Sequence, residues 1–218
     1  MPGTHPAMGT DEQSFEAIEH ALKRAAAALR DADVPFLLGG SLASWARGGP
    51  ETRHDLDLMI RPEDADRALQ ALVDAGMRRD DPPEEWLVKA WDGDVLVDLI
   101  FAPKGLAMTD EVIARGDEMA VLSMQMRVMA LEDVLTTKLM ALSEHSLRYT
   151  DLLRIARALR EQVDWEMVRD RTQSSPFARA FFVLAEGLDI LPGGEAEPHR
   201  HPRVRVVTPP GSASGGAG

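Results

Sequence analysis

The 218-residue sequence predicts an α+β protein, with a small mixed β-sheet core, helices on one face of it, and a C-terminal helical bundle. Three observations carry that expectation. Short apolar runs at residues 36–38, 55–60 and 95–101 alternate with stretches of helical period. Glycine and proline punctuate the joints, at Gly48-Gly49-Pro50, Gly76 and Gly93. From Ala130 onward only helical spacing recurs. The division expected is a flexible leader over 1–10, a core over 11–128, a helical subdomain over 129–190, and a disordered Gly-, Pro- and His-rich tail over 191–218.

The elements follow in order. Phe15, Ile18, Ala21, Leu22, Ala25 and Leu29 recur at helical spacing, so residues 11–31 form a helix that Asp11 can cap. Pro35 stops it and leads into the strand 36–38. Gly39-Gly40-Ser41 then turns the chain into an amphipathic helix, and a second strand spans 55–60. Pro62 followed by Glu63 and Asp64 starts a helix that runs to Ala75 and ends at Gly76. After an acidic loop over 80–85, the runs 86–91 and 95–101 flank Asp92-Gly93-Asp94 as a β-hairpin. Residues 120–128 read either as a further strand or as a methionine-lined helix. Helices are expected over 131–142 and 149–159, then from a cap at Asp164 through Arg171 and from Ser175-Pro176 through Leu188. Together with the strands this makes a sheet of four or five strands.

Composition narrows the class. With 44% hydrophobic residues the chain can bury a proper core. No apolar run approaches the roughly 20 residues a membrane helix needs, and Met1-Pro-Gly-Thr-His-Pro lacks the order of a signal peptide. The absence of cysteine excludes disulfides and thiolate metal sites and fits a cytoplasmic protein. A net charge of −12 disfavours a broad grip on nucleic-acid phosphates.

The chemistry concentrates between residues 36 and 101. Side chains two apart on a strand share a face, so Asp55 and Asp57 stand together while Leu56, Leu58 and Ile60 face the core. Like charges on one face repel, and a divalent cation is the usual relief. Gly39 and Gly40 ahead of a helix let the backbone approach a phosphate. Phosphate at one end and metal at the other suggest a nucleoside triphosphate. Asp98 is a charge inside an otherwise apolar strand, which calls for a cation or an exposed strand end. Lys138, on a helix whose Val134, Leu135, Leu139 and Leu142 face inward, reads by itself as a snorkelling residue. Arg47 and Arg53 flank the loop and suit either a triphosphate or surface ion pairs; His54 points to the opposite face and reads as structural. No paired-histidine, P-loop, Rossmann or nucleophile-elbow pattern is present.

Gly-Ser after a strand, Asp-x-Asp on the next and a lone carboxylate on a later one together resemble the polymerase-β-type nucleotidyltransferase superfamily. The motif covers residues 34–101 and extends more loosely to about Ile190. The run 131–139, followed by Arg148-Tyr-Thr-Asp151-Leu-Leu, is similar to the helices after the catalytic core of bacterial minimal and AbiEii-like nucleotidyltransferases; the intervening loop, 143–148, departs from their short basic form. The resemblance implies that Asp55, Asp57 and Asp98 hold two Mg2+ or Mn2+ ions, with Asp98 beside the acceptor hydroxyl and taking its proton. It implies nucleotide contacts from Gly40, Ser41, Arg53, Lys138 and Asp151. The activity implied is transfer of a nucleotidyl group from a triphosphate such as ATP to a hydroxyl. The acceptor is left open among an RNA 3′ end, a protein and a small molecule. AbiEii-like helices favour a toxin-like enzyme with an antitoxin partner; the acidic balance favours a cationic, aminoglycoside-like antibiotic. A glycosyltransferase would need a larger nucleotide-binding half before the motif. A non-catalytic binding module of the same fold is opposed by the presence of all three carboxylates.

Overall fold

The computed structural model describes residues 10–50 and 56–192. The tail from 193, the leader through 9, and Arg53, His54 and Asp55 lie outside them, so the expectations placed there are not addressed by the structure. Helix α1 (Thr10–Asp31) buries Ile18, Leu22, Ala25 and Leu29 in one stripe, the consequence of their helical period. The chain then enters β1 (Leu37–Leu38), turns through Gly39 into α2 (Gly40–Ala46), and returns as β2 (Leu56–Met59). A single 3₁₀ turn at Pro62–Asp64 starts α3 (Ala65–Asp74), which ends where Gly76 takes φ +88°. Strands β3 (Arg78–Asp80), β4 (Leu87–Asp92) and β5 (Val95–Ile100) follow. A short α4 (Asp110–Ala114) capped by Thr109 precedes β6 (Asp117–Val121) and β7 (Met124–Val128). The remainder is helical: α5 (Leu131–Met140), α6 (Tyr149–Leu159), α7 (Trp165–Thr172) and α8 (Pro176–Gly187). The side chains of Asp164 and Ser175 cap the last two, on the backbone N–H groups of Met167 and Ala178.

The strands form one mixed sheet in the order β3-β4-β5-β2-β1-β7-β6. Strand β2 runs antiparallel to β1 and parallel to β5, and β1 runs parallel to β7. Helices α1 and α3 pack on each other and over β4 and β5, while α2 lies against β2 and α5. Among the described residues, seven strands replace the four or five expected. The surplus has two sources. Strand β3 is short and polar, with no apolar alternation to announce it. Residues 117–128 form a full hairpin whose turn residues, Leu122 and Ser123, both take positive φ (47° and 65°) without the Gly or Asn that ordinarily signals such a turn.

Buried apolar side chains fall into two clusters. One lies between the sheet and its helices; the other is made by α5 to α8, with Phe181 and Phe182 at its centre. Helix α5 serves both, giving Val134 to the first and Leu131, Leu135 and Leu139 to the second. Beside it Asp133, 1% exposed, accepts two hydrogen bonds from Arg115 (both 2.7 Å) and one from Arg171 of α7 (2.9 Å). That ionic clasp ties the sheet side to the helical side, and holds Arg115 above its usual pKa through the hydrogen bonds to Asp133. Among the described residues no helix is long and apolar enough to cross a membrane.

Candidate active site

Two of the three expected carboxylates stand side by side. Strands β2 and β5 pair in parallel register with Asp57 directly beside Asp98, on strands about 4.8 Å apart. Alternation sends Leu56 and Leu58 to the opposite, fully buried face. Asp98 itself is 8% exposed, so its charge is largely withdrawn from water and needs compensation. The register continues outward: Lys89 of β4 lies opposite Asp98, and Asp80 of β3 opposite Lys89. One row across four strands therefore reads Asp80, Lys89, Asp98, Asp57. The Lys89 ammonium is 3.8 Å from Asp98 Oδ1.

The turn ahead of α2 is fitted to Asp57. Gly40 sits at φ +57°, and a Cβ there would fall 1.6 Å from Asp57 Oδ2. Glycine is required twice over, by the left-handed backbone and by the carboxylate against it. The N–H of Gly39 donates to the Asp57 carbonyl at 2.9 Å, pinning the turn to β2. Helix α2 has only seven residues, so its dipole is a minor part of any anion site.

The positive charge comes from α5 instead. Lys138 Nζ donates to Ser41 Oγ at 3.0 Å, joining residues 97 apart in sequence. Burial pushes the Lys138 pKa below its usual 10.5, and Arg148 pushes the same way, while the charges of Asp57 and Asp151 pull it back up. The two residues stand on the wall of a cleft of about 410 Å³ between α2, α5 and α6. Arg148, Asp151 and Arg154 line its polar side, and Leu142, Leu152 and Ile155 its apolar side.

The structure thus gathers Gly40, Ser41, Asp57, Asp98 and Lys138 about one place, with Asp151 across the cleft and exposed beside Arg154 at 3.9 Å. Arg47 is directed elsewhere. It donates to Asp117 (2.7 Å) and to the carbonyls of Val128 and Met129, strapping α2 to β6 and β7. Sequence reasoning missed Lys89 and the cleft-lining role of Arg148 and Arg154. A signal existed for Lys89: a two-residue turn at Gly93-Asp94 pairs Asp92 with Val95, and hence Lys89 with Asp98. Two neighbouring carboxylates are hard oxygen donors of the kind Mg2+ and Mn2+ prefer, so the residues present fit such an ion. Among the described residues no group of three or more metal-binding side chains gathers at one point; Asp55, the third expected ligand, is not among them.

Residues 11–187 match the family described as uncharacterised nucleotidyltransferase, and the chain belongs to that family. No curated protein matches it. Among solved structures, the chain is similar to the antibiotic-resistance factor ANT(2'')-Ia in solution, at 18% identity and a TM-score of 0.55, over 78% of this chain and 96% of that one. It is also similar to the crystal structure of ANT(2'')-Ia in complex with adenylyl-2''-tobramycin, at 17% identity and a TM-score of 0.56, over 72% and 97%. These two likenesses show a common fold. A looser likeness, to lincomycin-bound lincosamide antibiotic adenylyltransferase LnuA, has 15% identity and a TM-score of 0.42 over 67% and 94%.

Proposed function

We propose that this nucleotidyltransferase binds the triphosphate of a nucleotide such as ATP between Ser41 and Lys138, and transfers the nucleotidyl group to a hydroxyl of a small, cationic acceptor. The observation that carries the reading is the Lys138–Ser41 contact at 3.0 Å, made where Asp57 acts on the lysine charge. A half-buried ammonium and a hydroxyl joined on the wall of a cleft are a ready pair of donors for phosphate oxygens. Gly40, without a side chain, lets the phosphate approach the backbone.

Asp57 and Asp98, with Asp55, would hold Mg2+ or Mn2+, and the bound ions would supply charge neutralisation to the triphosphate. The protein groups account for the rest. Lys138 and Ser41 fix the terminal phosphates. Asp98, buried and beside Asp57, receives the proton of the acceptor hydroxyl as its oxygen bonds to the α-phosphorus. The bond from that phosphorus to the bridging oxygen breaks, and pyrophosphate leaves with the electron pair.

Two observations support a small cationic acceptor. The chain carries a net charge of −12, which attracts cations and repels nucleic acid. The fold is shared with ANT(2'')-Ia, whose crystal structure holds adenylyl-2''-tobramycin. The test is calorimetric titration of ATP with and without Mg2+ or Mn2+, then pyrophosphate release with aminoglycosides, lincosamides, total RNA and cell protein as acceptors. Metal-dependent binding and release stimulated by a cationic antibiotic are expected. Equal triphosphate affinity with and without metal removes the basis of the reading. Labelling of RNA or protein instead replaces the small acceptor with a toxin-like activity, and makes an antitoxin the partner to seek.

A further inference from the structure

Resting on that reading of the site, we infer that Lys89 is a positioning residue for Asp98: a resident counter-cation that holds the carboxylate in the metal-free protein and yields it to an arriving divalent ion. Lys89 is placed for this by the sheet. It is the direct cross-strand partner of Asp98, which in turn neighbours Asp57, so its side chain stands on the same face as both carboxylates. Both side chains of the pair are mostly withdrawn from water, at 18% and 12% exposure. Each charge is therefore stabilised by the other more than it would be in water.

The contact is an ion pair without a close hydrogen bond, at 3.8 Å. A lysine is suited to such a post. Its ammonium is a point charge on a flexible stem, whereas an arginine would fork onto the carboxylate and stay. The stem also has somewhere to go. On the other side of Lys89 the register places Asp80, whose Oδ2 accepts the indole N–H of Trp91 at 3.1 Å. A carboxylate on each flank gives the ammonium a second partner once a divalent ion takes Asp98. Lys89 adds a positive charge to the row that carries both carboxylates, and so eases their repulsion in the metal-free enzyme. With it, the fold is preserved at the cost of a weakened metal affinity.

The test uses the full-length protein free of nucleotide, with Mn2+ affinity read by calorimetry and stability by thermal melting. Lys89→Met should bind Mn2+ about tenfold more tightly, the scale expected for removing a unit charge a few ångström from the ion. Its melting temperature without metal should fall, and its gain on adding Mn2+ should exceed that of the wild type. Lys89→Arg keeps the charge, gains the fork, and should bind Mn2+ several-fold more weakly. This second variant decides the matter even where Lys89→Met fails to fold. A Mn2+ affinity unchanged in either folded variant overturns the inference, leaving Lys89 a simple structural partner. Weakened binding of metal-free ATP by Lys89→Met overturns it too, by making Lys89 a phosphate contact. A wild-type protein that binds neither Mn2+ nor ATP overturns the functional reading itself, a result distinguishable from the others before any variant is made.

Discussion

Replacing Lys138 by methionine asks directly where the triphosphate sits. The substitution keeps the apolar stem and roughly the length of the side chain, so packing against α2 survives while the charge goes. In the protein without nucleotide, two effects oppose. Burial has lowered the Lys138 pKa, so holding the charge costs the folded state something that methionine recovers. Against that stands the lost hydrogen bond to Ser41, worth about 0.5–1.5 kcal/mol, and the lost attraction of Asp57 and Asp151. The melting temperature should therefore move little. With nucleotide there is no such cancellation. A charge-assisted hydrogen bond to phosphate is worth about 1.5–3 kcal/mol, so the ATP Kd should rise roughly ten- to a hundredfold.

The pH dependence gives a second handle on the same residue. Because the folded pKa lies below 10.5, the unfolded chain holds this proton to higher pH than the folded one. Its contribution to stability is therefore unfavourable below the folded pKa and is relieved as pH climbs from there towards 10.5. A triphosphate bound against Lys138 would favour the ammonium and raise its pKa. ATP affinity should then be fullest below the pKa of the free protein and decline as pH rises through it. Calorimetry across alkaline pH, run on both proteins, should show that decline in the wild type and lose it in Lys138→Met. A methionine variant that melts like the wild type and binds ATP with an unchanged Kd and pH profile refutes the placement.

Gly40→Ala combines a left-handed backbone, about 1–2 kcal/mol, with overlap on Asp57 Oδ2 that adds about 1–3 kcal/mol. Thermal melting should fall by roughly 5–15 °C with loss of ATP binding, and a wild-type melt would show that the turn is slack. Asp133→Asn breaks the clasp between Arg115 and Arg171. Since both arginines are more than a third exposed and can rehydrate, the cost should be about 1.5–3 kcal/mol, read by urea unfolding. Asp98→Asn should retain ATP binding while pyrophosphate release falls roughly a hundredfold or more, and full activity would remove Asp98 from proton transfer.

What could be read from the sequence followed local rules. The faces of Asp57 and Asp98 follow from a strand period of two, whatever the neighbouring strands do. The capped starts of α7 and α8 were legible because a cap is a contact within one turn. The features missed depend on how elements meet. Lys138 is singled out by the family resemblance alone; its own helix reads as carrying an ordinary snorkelling lysine, because its partner, Ser41, is reached only when α5 packs against α2. Asp133 draws no reading of its own from the sequence, since an acid in a first helical turn is locally commonplace; only the packing of α5 with the arginines after α4 and on α7 makes it a clasp.

Lys89 lies between these cases, and shows how narrow the margin is. Treating Asp92-Gly93-Asp94 as a three-residue loop pairs Trp91 with Val95 and sets Val88 opposite Asp98. The actual two-residue turn, with Gly93 at φ +61°, shifts the register by one. In a β-hairpin a shift of one exchanges the faces of a whole strand. Under the first reading Asp98 has a valine across from it, which leaves its charge to a bound cation or to an exposed strand end. Under the observed register it already has an ammonium at 3.8 Å. An odd charge in an apolar strand was thus a sound pointer to a site, but its partner depended on a single glycine. On the inference drawn above, a divalent ion arriving at Asp98 would have to compete with a lysine that the hairpin register already supplies.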